Sequence, residues 1–128
     1  MKHPFADLIG LRFSHQAAGH SSCHLALTDH HMNPHHVAHG AVLYAMADTG
    51  MGSALYPTLA KGEICATIQI SMTYFKAVTQ GEVRCETKLV NRGKRVANLR
   101  SEVFCNDELV ASADGNYAIF SPKAKSQE

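Results

Sequence analysis

The sequence predicts an α+β fold in which one buried helix packs against a sheet of antiparallel strands. Residues 38–56, AHGAVLYAMADTGMGSALY, carry small and apolar residues on every side, which is typical of a helix with no face turned to water. Segments on both sides of this run alternate in polarity and are joined by short turns, as antiparallel strands are. A helix inserted into a series of strands indicates stacked layers of helix and sheet.

Length and composition limit the classes of protein. The chain has 128 residues, of which 45% are hydrophobic, enough for one domain over residues 1–128 with a small core. Its formal net charge is +1 and no basic stripe is present, so no nucleic-acid partner is expected. The first ten residues lack the apolar core of a signal peptide, and the apolar run is too short to span a membrane.

Four cysteines are spread singly along the chain, and each lies in a strand-like segment. They are Cys23, Cys65, Cys85 and Cys105. No two of them form the short Cys-x-x-Cys clasp that zinc sites commonly use. They are predicted to be reduced, half-buried thiols, which indicates a cytoplasmic protein.

The N-terminal third predicts a short helix, a hairpin and a loop. A helix is expected over residues 4–9, ended by Gly10. Residues 11–17 and 22–28 flank Ala18-Gly19-His20 and predict a hairpin, because apolar and polar residues alternate in the second segment. The loop over 29–38 then leads to the central helix, which is expected over about 39–56 and is stopped by the proline that follows.

Histidines are concentrated in and just after this loop. Such a cluster suggests zinc, but no Cys or Glu accompanies it, and Asn33-Pro34 interrupts any helical i, i+4 pairing. We therefore predict no metal and no cofactor, and interpret the segment as a polar loop beside a pocket. The histidines are His30, His31, His35, His36 and His39.

The C-terminal half predicts a run of strands. Residues 64–75 alternate, so one apolar face is predicted to carry Ile64, Ala66, Ile68, Ile70, Met72 and Tyr74. Residues 83–91, 96–106 and 109–120 predict further antiparallel strands in series, and residues 121–128 predict a polar tail. The helix is expected to lie on the concave apolar face of this sheet.

One residue of the apolar run carries a carboxylate. Asp48 is the only carboxylate in the predicted helix, and a buried carboxylate without a partner is costly. It either caps a helix break near Gly50 and Gly52 or serves as a functional group at a pocket. The functional interpretation is favoured, because packing gains nothing from an aspartate in the middle of a helix.

The stretch from Asn33 to Asp48, NPHHVAHGAVLYAMAD, resembles the PaaI-like acyl-CoA thioesterases of the hotdog fold, near the thioesterase superfamily member 2 type. Members show an Asn, then His-Gly-Gly, then an acid on the helix. The acid often lies in the sequence Leu-Ala-Asp-Thr, and Ala47-Asp48-Thr49 reproduces the last three residues of that sequence. The likeness extends through residues 67–74, Gly81-Glu82 and 115–117. Ala41 replaces the family's second glycine. The resemblance implies an antiparallel sheet of five to six strands wrapped around one long central helix.

The resemblance also implies roles for five residues in thioester hydrolysis. The Gly40 N–H and the Asn33 side chain would hold the thioester carbonyl oxygen, as an oxyanion hole at a helix N-terminus. Asp48 would act as general base or as nucleophile, and both options remain open. Thr67 would help to position water, and His39 would lie near the sulfur and orient the loop.

An acyl-CoA substrate is implied in the same way. CoA would lie near residues 64–74, and its phosphates would meet the surface cations Lys76, Arg92, Lys94 and Arg95. The acyl group, aromatic or of medium chain length, would meet an apolar pocket formed by Leu43, Tyr44, Met51, Leu55 and Tyr74. These assignments depend on tertiary placement.

The spacing of the motif predicts a shared site. Gly40 and Asp48 are eight residues apart on one helix, which is about 12 Å along its axis. One helix therefore cannot supply both groups to one thioester, and a homodimer is expected in which Asp48 comes from the second chain. Two such dimers are expected to pair into a homotetramer.

Two other functions stay open from the sequence. A hotdog hydratase or dehydratase pairs a His with an acid for proton transfer at carbon, and His39 with Asp48 could form such a pair. Their order and the presence of Asn33 favour hydrolysis. A non-catalytic acyl-CoA-binding module is the other alternative. An α/β-hydrolase triad is excluded, because the G-x-S-x-G motif is absent.

Overall fold

The computed structural model describes residues 2–122 and confirms the predicted hotdog fold, a six-stranded antiparallel sheet with one long helix. Of the predicted polar tail, residues 123–128 lie outside the described residues. The elements in chain order are α1 (Pro4–Ile9), β1 (Arg12–Ala17), β2 (His20–Ala26), α2 (Gly40–Leu55), β3 (Ile64–Tyr74), β4 (Glu82–Arg92), β5 (Val96–Cys105) and β6 (Glu108–Phe120). Short 3-10 turns lie at Asp29–His31 and Tyr56–Thr58.

Local sequence signals account for the ends of the helices. Pro4 begins α1, where its missing N–H would have no partner, and Gly10 ends it with a φ of 78°. His39 caps α2, because its Nδ1 accepts a hydrogen bond from the Ala41 N–H at 2.9 Å. Pro57 lies in the 3-10 turn that ends α2. Within residues 2–122, no helix has the length and apolar character to cross a bilayer.

The order of strands in the sheet is β1-β2-β4-β5-β6-β3. Strands β4, β5 and β6 lie side by side in chain order, as expected, but β3 does not pair with β4, which follows it in the chain. Both sides of β4 are occupied, by β2 and by β5. The chain therefore crosses the sheet over residues 75–81, and β3 pairs with β6 at the opposite edge from β1.

The core lies between α2 and the concave face of the sheet. Helix α2 contributes two buried methionines, Met46 and Met51, one to each of two apolar clusters. The helix lies close to the sheet at Gly50, where an added Cβ would lie only 2.5 Å from Thr87 Oγ1. A glycine at this position lets the helix sit deep enough in the sheet to bring its other side chains onto β3 and β6.

One face of α2 is open in this chain, which corrects the expectation of burial on all sides. Tyr44 is 38% exposed, and Asp48 and Thr49 are partly exposed. Small neutral residues such as Gly52 and Ser53 make up much of the rest of this face. Such residues do not mark a helix face as polar, so the sequence pattern could not distinguish it from the buried faces.

Strand β3 contains a bulge that corrects its predicted alternation. The register against β6 shifts between Thr67 and Gln69, so Ile68 is the extra residue. Thr67 therefore shares the concave face with Ile70, whereas Ile64 and Ile68 are 44% and 56% exposed. The prediction that Ile64, Ala66 and Ile68 share an apolar face with Ile70, Met72 and Tyr74 is wrong, because one extra residue inverts the alternation.

All four cysteines are free thiols in strands. Cys65 is partly exposed, but Cys23, Cys85 and Cys105 are buried, which is deeper than the half-burial expected. Cys23 and Cys85 stand opposite each other in β2 and β4 and face α2. The strands that carry them are central in the sheet or face the helix, and the sequence pattern does not reveal this.

Candidate active site

Asp48 lies on α2 where the helix meets β3 and β6. Thr67 Oγ1 donates a hydrogen bond to Asp48 Oδ1 at 2.8 Å, and the Tyr117 hydroxyl donates to the same oxygen. From the described residues, Oδ2 receives no hydrogen bond. The carboxylate is held through one oxygen, as the cost of an unpartnered carboxylate led us to expect, but it is partly exposed and not buried.

Tyr117 is the functional candidate that sequence reasoning missed. It lies on β6 directly opposite Thr67 and is only 3% exposed. Burial raises the pKa of Tyr117 far above its usual value, and the hydrogen bond to Asp48 raises it further, so the hydroxyl is a neutral donor. One signal in the sequence was its alternation in phase with Ala113 and Gly115 on the concave face.

Gly40 begins α2 with a backbone N–H that donates to no protein atom among residues 2–122. Its carbonyl oxygen accepts a hydrogen bond from the Tyr74 hydroxyl at 2.7 Å. An added Cβ would lie 3.1 Å from that hydroxyl oxygen and 3.2 Å from the ring, so glycine permits this approach. The free N–H at a positively polarised helix start can bind a carbonyl or anionic oxygen.

Asn33 shapes the loop before α2. Its Oδ1 accepts hydrogen bonds from the N–H groups of His35 at 2.8 Å and Val37 at 3.2 Å. Its own N–H donates to the carbonyl oxygen of Val37 at 2.8 Å. The carbonyl end of the side chain therefore closes the loop, and the Nδ2 amide is left as the donor for a ligand.

The loop histidines have distinct structural roles. Because His39 Nδ1 accepts from Ala41, the neutral ring carries its proton on Nε2. His31 is buried, with Nδ1 accepting from the Thr28 N–H at 2.9 Å and Nε2 lying 2.7 Å from the carbonyl oxygen of Ile9. Across residues 2–122, no three His, Cys, Asp or Glu side chains are placed to hold a metal ion.

A cleft of about 650 Å³ opens over the exposed face of α2 and reaches Asp48. The rings of Phe5, Phe13 and Tyr56 form much of its wall. Of the predicted acyl-pocket residues, Tyr44 is exposed on α2, whereas Leu43 and Tyr74 line a second cleft of about 290 Å³ beside Gly40.

Met51 and Leu55, also predicted for the acyl pocket, have no exposed surface. Both side chains pack against the sheet in one apolar cluster. They line neither of the two clefts formed by the described residues. The two residues were assigned from their apolar character alone, which does not tell a core position from a pocket wall.

The two halves of the predicted site are held apart within one chain. The Gly40 carbonyl oxygen accepts a hydrogen bond from Tyr74, at the end of β3. The Asp48 carboxylate accepts one from Thr67, near the start of the same strand. Gly40 and Asp48 are eight residues apart on α2, which corresponds to about 12 Å along the helix axis. One chain therefore does not bring the Gly40 N–H and the Asp48 carboxylate onto the same small group.

Comparison with known proteins decides the family. The model of the thioesterase superfamily matches residues 35–112. The chain belongs to the thioesterase superfamily. A solved structure of a variant of the phenylacetic acid degradation protein PaaI from Thermus thermophilus is 28% identical to this thioesterase, covers 91% of it and 98% of its own chain, and superposes with a TM-score of 0.85.

Two further matches agree. The structure of the TT0310 protein, also from Thermus thermophilus, is 31% identical, covers 92% of this thioesterase and 98% of its own chain, and has a TM-score of 0.85. An Archaeoglobus fulgidus protein whose name assigns it provisionally to the esterases is 29% identical over 111 residues, which are 85% of this chain and 70% of that protein. The thioesterase is thus PaaI-like, and hydrolysis of a thioester is the activity indicated.

The cations predicted for CoA are not equivalent in this thioesterase. Arg92 donates to Thr58 Oγ1 at 3.0 Å and pairs with Glu63 at 3.3 Å, so its charge is already neutralised within the chain. Lys76 pairs with Glu108 at 2.6 Å. By contrast, two exposed cations in the turn between β4 and β5 form no ion pair with the described residues: Lys94 and Arg95.

Proposed function

We propose that this thioesterase hydrolyses acyl-CoA thioesters and that Asp48 activates water or attacks the carbonyl itself. The observation that carries the proposal is the state of its carboxylate. Two hydroxyl groups hold Oδ1, Oδ2 receives no hydrogen bond from residues 2–122, and Asp48 lies in the wall of the large cleft. Thioester hydrolysis needs a polarised carbonyl and an activated nucleophile, and thiolate leaves without a strong acid.

The start of α2 supplies the polarising groups in this proposal. The Gly40 N–H is free, and Asn33 keeps its Nδ2 donor while its Oδ1 closes the loop. Negative charge grows on the carbonyl oxygen as the tetrahedral intermediate forms. Fixed donors at a helix N-terminus stabilise that charge more than they stabilise the neutral substrate, and this difference accelerates the reaction.

Asp48 can act by two balanced routes. As general base, Oδ2 takes a proton from water while the water oxygen adds to the carbonyl, and collapse of the intermediate expels CoA thiolate. As nucleophile, Oδ2 attacks the carbonyl, CoA thiolate leaves, and water cleaves the resulting anhydride. After a single turnover in ¹⁸O-water, label in the Asp48 carboxylate would demonstrate the second route, because only attack of water on the Asp48 carbonyl of the anhydride places it there.

The proposal requires two chains for each site. Strand β3 is an edge of 11 residues whose outer side pairs with nothing in the described chain, and such edges pair with other strands. If β3 pairs with β3 of a second copy across a two-fold axis, two α2 helices run antiparallel side by side. The start of one helix then meets the middle of the other. Each site would take Gly40 and Asn33 from one chain and Asp48 from its partner.

A mixed dimer tests the shared site. Homodimers of Asp48→Ala and of Asn33→Ala should each be nearly inactive. A purified heterodimer of the two has one site with both changes and one site with neither, so it should recover about half of the wild-type activity per dimer. If the heterodimer is as inactive as its parents, both groups must come from one chain and the shared site is wrong.

A substrate panel tests the reaction. Benzoyl-, phenylacetyl- and medium-chain acyl-CoA are the appropriate set, because the cleft has aromatic walls and one similar structure is named for phenylacetic acid degradation. Release of free CoA, read with a thiol reagent, supports hydrolysis. Product formation without CoA release would instead indicate hydration, and tight binding without turnover would indicate a binding module.

Asp48→Asn should lower turnover roughly 100-fold. The cytoplasmic location and the tetramer stay predictions.

A further inference from the structure

Two hydroxyl groups from neighbouring strands converge on one oxygen of Asp48. Thr67 on β3 and Tyr117 on β6 are directly opposite each other in the sheet, and both donate to Oδ1. We propose, resting on the function proposed above, that Tyr117 is a positioning residue: it clamps Oδ1 with Thr67 so that Oδ2 alone meets water or the thioester.

The position of the Tyr117 hydroxyl is determined by the core. The ring is 3% exposed and belongs to the apolar cluster that contains Met51 and Leu99. The hydroxyl oxygen also lies 2.7 Å from the backbone carbonyl oxygen of Asp48, so it contacts both the main chain and the side chain of one residue. A group anchored in the core holds the carboxylate more precisely than a loop side chain would.

Asymmetric hydrogen bonding decides which oxygen reacts. Burial, and then the bond to Asp48, raise the pKa of Tyr117, so the hydroxyl stays protonated and acts as a donor at any working pH. Tyr117 and Thr67 thus both donate to Oδ1. They also occupy the lone pairs of that oxygen, and Oδ2 is left as the base or nucleophile.

A merely structural role makes a different prediction. If Tyr117 only tied β6 to α2, its hydroxyl would contribute to stability and leave kcat of the folded protein unchanged. Ser101 provides a matched control for that role. It is fully buried, and its Oγ donates to the carbonyl oxygen of Ala47 at 3.0 Å, one residue before Asp48, without touching the carboxylate.

The experiment compares Tyr117→Phe with Ser101→Ala in the full-length protein, both checked for folding by circular dichroism. In Tyr117→Phe we expect kcat to fall about 10-fold with little change in KM, the cost of a misplaced base. Ser101→Ala should leave kcat close to the wild-type value.

The outcomes separate this inference from the proposed function. If Asp48→Asn keeps wild-type turnover, the proposed function fails and the positioning role fails with it. If Asp48→Asn is inactive but folded Tyr117→Phe keeps the wild-type kcat, only the role of Tyr117 is overturned. A loss of kcat in Tyr117→Phe that Ser101→Ala matches overturns it equally.

Proton NMR tests the contact without any substrate. A hydroxyl proton shared with a carboxylate should give a resonance far downfield of the amide region in the wild type. Tyr117→Phe should abolish the resonance, and Asp48→Asn should move it upfield, because a neutral amide accepts a weaker hydrogen bond. A hydroxyl resonance that is unchanged in Asp48→Asn would show that Tyr117 does not donate to the carboxylate, and would overturn the inference.

Discussion

Alanine substitutions at two glycines of α2 should change the free energy of unfolding in opposite directions. At Gly50 an added Cβ would lie 2.5 Å from Thr87 Oγ1, whereas at Gly52 nothing lies within 4 Å. Thr87 cannot easily move, because it is 1% exposed and its Oγ1 lies in hydrogen-bond distance of Ser101 Oγ at 2.7 Å. The same substitution therefore meets a packed sheet at one position and open space at the other.

The magnitudes follow from helix propensity and packing. Alanine is about 1 kcal/mol better than glycine in a helix interior, so Gly52→Ala should raise the free energy of unfolding by about that amount. At Gly50 the contact is roughly 1 Å inside a normal one, and overpacking of this kind costs about 3 kcal/mol. Gly50→Ala should therefore lower the free energy of unfolding by about 2 kcal/mol. The midpoints should rise about 4 °C and fall about 8 °C respectively.

Thermal and urea unfolding, followed by circular dichroism at one protein concentration, measure both changes. In Gly50→Ala combined with Thr87→Ala, removal of the clashing oxygen should recover part of the loss. If Gly50→Ala is as stable as Gly52→Ala, the close approach of α2 to β4 is refuted. The packing of α2 against the sheet also holds Asp48 beside Tyr117. The measurement therefore also tests the packing that positions the candidate active site.

Three further changes probe the charges. Burial alone would raise the pKa of Glu86, but hydrogen bonds from Ser22 and Arg84 outweigh it and lower the pKa below 4.5. Glu86→Gln should therefore cost more stability at pH 7 than at pH 3, as urea unfolding would show. This contribution is present above pH 4.5 and is lost as the pH falls through the lowered pKa; an equal cost at both pH values would contradict it. Lys94→Ala should raise KM for acyl-CoA but not for the acyl-pantetheine thioester, which lacks the nucleotide phosphates. Arg92→Met should instead lower the unfolding midpoint, because the Arg92 guanidinium donates hydrogen bonds to the turn after α2. Treatment with a chelator should leave turnover unchanged, and a loss that zinc restores would argue for a metal.

Local sequence was enough to identify the elements and the residue that carries the proposed chemistry. Stop signals such as Gly10 and Pro57, and the period of apolar residues, act over a few positions, so they can be interpreted without knowing the rest of the fold. Asp48 was found because a carboxylate conflicts with its apolar surroundings, and that conflict is visible along the chain. The motif from Asn33 to Asp48 then indicated the family.

How Asp48 is held, and which surfaces stay open, depends on packing between distant segments. Its partner Tyr117 is 69 residues away along the chain. The two residues meet because β3 pairs with β6, and not with β4, the next strand in the chain. The bulge at Ile68, which turns Thr67 toward Asp48, depends on that same pairing. Strand register and pairing are set by which faces can be buried together in three dimensions, and no local pattern of residues records that choice.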